Sequence, residues 1–184
     1  MRKKTVLITS TILIMILCFT SSVNAYTFTG QRWPKVIGST YTIYVKYATS
    51  NANYRAAFDS AVSDWNNAQD KIQFSLSSLH VSTLSTVGVQ NVDDPSLFGS
   101  CTWHWVPGTN TISYFQAVLN TYNSDIVNKT KTRRSTAGHE LGHALGLGHV
   151  DPPYNAIMNS SRNRETLYTP QKDDIDGVKA LYAL

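Results

Sequence analysis

An α+β domain built on one mixed sheet is the fold that this 184-residue sequence predicts. Two observations predict it. Segments of period two, rich in β-formers, are interspersed with segments of helical periodicity, in the order strand, helix, several strands, helix, loop, helix. Hydrophobic residues make up 42% of the chain and charged residues 15%, enough apolar surface for one real core and too much for a disordered protein.

The chain opens with a segment that stands outside the fold. Arg2, Lys3 and Lys4 are followed by an apolar stretch at residues 6–19, interrupted only by Thr9, Ser10 and Thr11. Val23 and Ala25 then occupy the −3 and −1 positions of a cleavage site. This pattern predicts a secretory signal at residues 1–25 and a mature domain at residues 26–184. The apolar run is short of the roughly 20 residues that a bilayer span requires, so no stable membrane anchor is expected after cleavage. Leu17 before Cys18 argues against a lipoprotein anchor. Without the signal the chain has 13 basic against 12 acidic side chains, so its net charge falls from +4 to +1 and gives no case for nucleic-acid binding. The cluster Lys129, Lys131, Arg133 and Arg134 reads as a solvated face. Cys101 is the one cysteine left, which excludes an internal disulfide and leaves two readings, a buried small hydrophobe or a reactive thiol.

Residues 41–47 alternate apolar and polar and read as a strand. Residues 53–70 place Ala57, Phe58, Ala61, Val62 and Trp65 on one helical face, with Asn51 or Asn53 as cap. Strands follow at 72–76, 87–92, 101–106 and 111–119, the last two joined by the turn at 107–110. A helix is expected at 132–146, and a final one from Thr169-Pro170 to the C-terminus, with proline in the first turn and Asp173 and Asp174 at its positive end.

The chemistry lies in Gly138-His-Glu-Leu-Gly-His-Ala-Leu-Gly-Leu-Gly-His149. His139 and His143, four residues apart on a helix, face one way and can share a tetrahedral ion. Gly146 can take a positive φ, end the helix and swing His149 back toward the same ion. Three neutral nitrogens leave one coordination position open, the mark of a catalytic zinc. Glu140 lies off the ligand face, where it can take a proton from a water that zinc has made acidic. The spacing HExxHxxGxxH is far more specific than HExxH alone. Ala156-Ile-Met-Asn159 follows; by itself Met158 would read as ordinary core, but after the histidine motif the segment resembles the Met-turn, in which a methionine packs beneath the zinc site.

With these motifs the chain resembles the metzincin proteases, and most of all the matrixins (matrix metalloproteinases and bacterial relatives). Residues 138–158 carry the resemblance, as do residues 170–182, whose Asp-Asp and Leu-Tyr resemble the matrixin closing helix. The resemblance implies a zincin-like domain with a twisted mixed sheet, an active-site helix and a C-terminal helix. It implies a protein or peptide substrate laid in extended form along an edge strand at residues 99–106, and a specificity pocket lined by Ser135 and residues 159–168. Val150 stands where matrixins usually have serine, and Ser160 stands where astacins and serralysins have a zinc-binding tyrosine, so no further protein ligand is expected. A zinc-blocking cysteine prodomain is not expected either. His80 and His104 do not form the family's structural zinc motif. Calcium is common in the family, and Asp93, Asp94 and Asp125 are the oxygen donors to consider, although solvated turn aspartates are the plainer reading.

The reading is a secreted, monomeric, extracellular zinc metalloendopeptidase of bacterial type. The rivals are a binding protein on the same scaffold, which would most simply have lost Glu140, and a toxin-like protease with a single target.

Overall fold

Alternation along Tyr41–Tyr47 produces strand β1, with Ile43 and Val45 buried and Tyr44 outward. The structure, a computed structural model, describes residues 25–34, 39–77 and 82–183. The expected signal therefore lies, apart from Ala25, outside the described residues, as does His80.

Asn51 caps helix α1 (Ala52–Ala68) by accepting from Asn53 N, and the expected apolar face is buried. Strands β2 (Ile72–Leu76) and β3 (Thr86–Gln90) flank β1 in parallel, β5 (Ile112–Asn120) continues in parallel beside β3, and β4 (Gly99–Trp105) closes the sheet antiparallel to β5. The order is β2-β1-β3-β5-β4, a mixed sheet with β4 at one edge, as expected. α1 packs on the sheet and on helix α3 (Thr130–Ala144), around Phe58, Trp65, Phe115 and Leu141.

A short helix, α2 (Ser124–Asn128), was not expected; it is too brief to show periodicity, and Asn123 caps it by accepting from Asp125 N and Ile126 N. Helix α4 spans Lys172–Leu181, which corrects the expected start at Thr169-Pro170. Proline lies before the helix because Gln171 takes the cap in a reciprocal pair with Asp174, whose carboxylate accepts from Gln171 N.

The basic cluster is a solvated face only in part: Lys129 and Lys131 are exposed, and the two arginines are not. Arg133 is buried and donates to the carbonyls of Ile126 and Val127, while Arg134 pairs with Asp64 at 2.6 Å and lies over Tyr168. Lys129 pairs with Asp125. These partners come from elements far apart in sequence or from an unforeseen helix, so charge spacing alone did not reveal them.

Candidate active site

Helix α3 is buried on nearly every side, from Thr132 through Ala144. Its glycines permit this. A Cβ on Gly138 would come 2.6 Å from Ile157 Cδ1, and one on Gly142 would come 2.3 Å from Met158 Sδ. The helix thus seats directly on Ile157 and Met158, and Trp65 Nε1 donates to Gly138 O. Gly146 (φ +96°) ends the helix: its N–H donates to His143 O and that of Leu147 to Gly142 O, a Schellman arrangement.

The turn brings His149 back to the helix as expected. His139 Nε2 and His143 Nε2 lie 3.1 and 3.0 Å from His149 Nε2. His139 Nδ1 faces Ile157 O and His143 Nδ1 faces Leu147 O, each at 2.8 Å. With Nδ1–H donating to these carbonyls, both Nε2 lone pairs point at the shared centre, the tautomer that a metal requires. Burial lowers the pKa of His139 and His149 and brings that of His143 to about 4, so the imidazoles are neutral and ready to ligate. The three form the one candidate metal-binding group among the described residues, and their donor set fits zinc. Cys101 is not part of it.

Met158 is buried beneath Gly142, in the place expected of it. Asp174, which is 1% exposed, accepts from the N–H groups of both Ile157 and Met158 and so ties this turn to α4. The sequence marked Asp174 only as a helix-start residue. Val150 is buried and its N–H donates to Met158 O, joining the third histidine's strand to the turn.

Glu140 lines a cavity of about 500 Å³ together with all three histidines, Cys101 and residues of β4. Gly99 makes room for it, since a Cβ there would stand 3.0 Å from Glu140 Oε1. Burial pushes the Glu140 carboxyl up to about 8, while Arg162 and Arg164 pull it back.

Those two arginines were missed. Arg162 is buried and donates through Nε to Ser135 Oγ, through Nη2 to Ser135 O and through Nη1 to Asn159 O. Its Nη1 also lies 3.2 Å from His139 Nδ1, where its charge disfavours a second proton on that ring. Ser135 is therefore fully buried beneath Arg162, which corrects the expectation that it lines the specificity pocket. Ser160, Arg162 and Arg164 of the expected loop do line the cavity. No local signal in residues 159–168 distinguishes these arginines from surface ones.

Cys101 is half-buried at the cleft rather than enclosed in the core, its thiol pKa raised by burial and by Glu140. His104 stacks on Tyr114 on the face of the sheet. Asp94 accepts from Ser96, Asp125 from Lys129, and Asp93 from the Tyr122 hydroxyl, so these acids are used separately. They form no candidate metal group among the described residues.

Comparison with known proteins agrees with this architecture. Part of the chain is 45% identical to human neutrophil collagenase over 49 residues, 26% of this chain and 10% of that protein, so the match spans about a tenth of the relative's length. The fold is similar to that of high choriolytic enzyme 1, a hatching-enzyme zinc protease of the medaka fish Oryzias latipes. That match has a TM-score of 0.51 and 13% identity, and covers 82% of this chain and 94% of the other. The family model described as matrixin matches residues 32–183, and the chain belongs to the matrixin family.

Proposed function

We propose that this chain is a secreted zinc metalloendopeptidase, with His139, His143 and His149 as ligands, Glu140 as general base and Met158 as the packed floor of the site. The observation that carries the reading is the convergence of three Nε2 atoms beside an ionisable carboxylate in an open cavity along an edge strand.

Zinc at this centre supplies Lewis acidity toward water and the scissile carbonyl. The chain's own residues do the rest. Ile157 O and Leu147 O hold the rings of His139 and His143, and burial, aided by the charge of Arg162, keeps His139 neutral. Glu140 takes a proton from the attacking water and delivers it to the leaving amine. β4, with β5 on one side only, offers its free edge to an extended substrate backbone. Residues 1–25 direct secretion, and residues 26–184 form the working, monomeric domain. Among the described residues, no helix is long and apolar enough to cross a membrane.

Zinc content and casein or gelatin hydrolysis, measured on one preparation with and without chelator, test this. One zinc per chain, with hydrolysis lost to chelator and restored by zinc, is the expected result. Zinc without hydrolysis of any broad substrate would overturn the reading as a general protease.

A further inference from the structure

The cleft holds two cations of different standing. Arg162 has all three guanidinium nitrogens engaged with Ser135 and Asn159. Arg164 uses one, donating from Nη2 to Ser160 O at 3.1 Å. Its Nε is buried with no hydrogen-bond partner among the described residues. Its guanidinium carbon lies 3.8 Å from the Phe98 ring centroid, a stack that fixes the plane of the fork. Arg164 is half-buried, and Glu140 and Asp125 are the acids whose charges it feels.

Glu140 is the one carboxylate among the residues that line the cavity, against Arg162 and Arg164. Arg162 covers Ser135, so a guanidinium rather than an apolar side chain forms that part of the lining. A carboxylate finds a pre-oriented guanidinium with unused N–H groups in a partly desolvated site.

We propose that Arg164 is a specificity-determining residue that selects an acidic side chain, Asp or Glu, in the substrate segment lying against Phe98 and Ser160. This rests on the protease reading and names the substrate class for that same cleft.

The test uses C-terminally amidated fluorogenic peptides, so that any carboxylate effect comes from a side chain. Glu is placed in turn at the three positions on either side of the cut, with Gln as the matched control. At one position kcat/KM for Glu exceeds that for Gln by about tenfold or more, as a charge-assisted pair in a half-buried site predicts. Arg164→Gln brings the ratio near one, Arg164→Lys restores part of it, and Arg164→Glu inverts it in favour of Gln. A second measurement leaves turnover aside: fluorescence anisotropy of the labelled peptides on Glu140→Ala and on Glu140→Ala/Arg164→Gln. The preference for Glu is present in the first protein and absent in the second.

Cleavage of Glu and Gln peptides at equal efficiency at every position overturns the proposal and leaves the protease reading standing. So does a preference that survives Arg164→Gln. Failure to cut any peptide, with Glu-selective binding intact on Glu140→Ala, overturns the protease reading and supports the subsite.

Discussion

On one wall of the cleft, three imidazoles project from a helix and the turn that ends it. On the other, two guanidiniums hang from the irregular segment at residues 159–168. The first wall is made by local repetition. Positions four apart on α3 place His139 and His143 together, and one positive-φ glycine returns His149. The second is made by contacts across the fold, with Arg162 reaching Ser135 and Arg164 lying on Phe98. The contrast teaches which part of the site is fixed by backbone geometry and which by contacts between distant segments. On the proposed reading the reaction belongs to the first wall and selection of substrate to the second.

Substitutions should separate the walls. The largest effect is expected from His149→Ala, which removes a ligand; zinc content and hydrolysis should fall together, and a variant that keeps full zinc would break the assignment. Glu140→Ala should retain zinc yet lose about 10²–10⁴-fold or more in kcat, the usual size of a general acid–base contribution. Near-normal hydrolysis by that variant would falsify the role given to Glu140.

Arg162→Ala removes three buried side-chain donations, to Ser135 Oγ, Ser135 O and Asn159 O, while Asn159 O keeps the backbone N–H of residue 162; the loss should cost about 1–3 kcal/mol in urea unfolding. Gly142→Ala forces a methyl group against Met158 Sδ at 2.3 Å, an overpacking expected to cost about 1–3 kcal/mol and to weaken zinc binding. If Gly142→Ala melted like the parent, the seat of Met158 would be softer than drawn.

The smallest effect is one of pH. In the zinc-stripped protein the folded pKa values of the three histidines are lowered, first of all by burial, that of His143 to about 4. The unfolded chain therefore takes up protons first, near the ordinary value of about 6.5. The histidines' contribution to stability is full above that pH and declines as pH falls from about 6.5 toward 4, while Glu140, raised by burial to about 8, works the other way. Calorimetry of the stripped Glu140→Gln protein at pH 7.5 and pH 5, which leaves that opposing group out, should show the lower melting temperature at pH 5; an unchanged value would mean that the rings are more solvated than their setting implies.

Much of this was legible in the sequence. The strand at 41–47, the apolar face of α1 and the metal-facing spacing on α3 each rest on a backbone period that residue types display directly. What was hidden depends on partners distant in the chain. Arg133 looked solvated because its acceptors lie on a helix of five residues with no periodicity of its own. Ser135 looked like a pocket wall because nothing in the sequence says that Arg162 folds over it. Gly99 was only the start of a strand until Glu140 arrived beside it from α3.

Asp174 carries a consequence about time. Its carboxylate receives the N–H groups of Ile157 and Met158, so the turn beneath the histidines is secured by a helix made after every proposed ligand has been synthesised. A chain emerging from the ribosome has His139, His143 and His149 in hand while that anchor is still unmade. On the proposed reading the floor of the site is therefore the last part of it to be secured, after all three imidazoles are already in the chain.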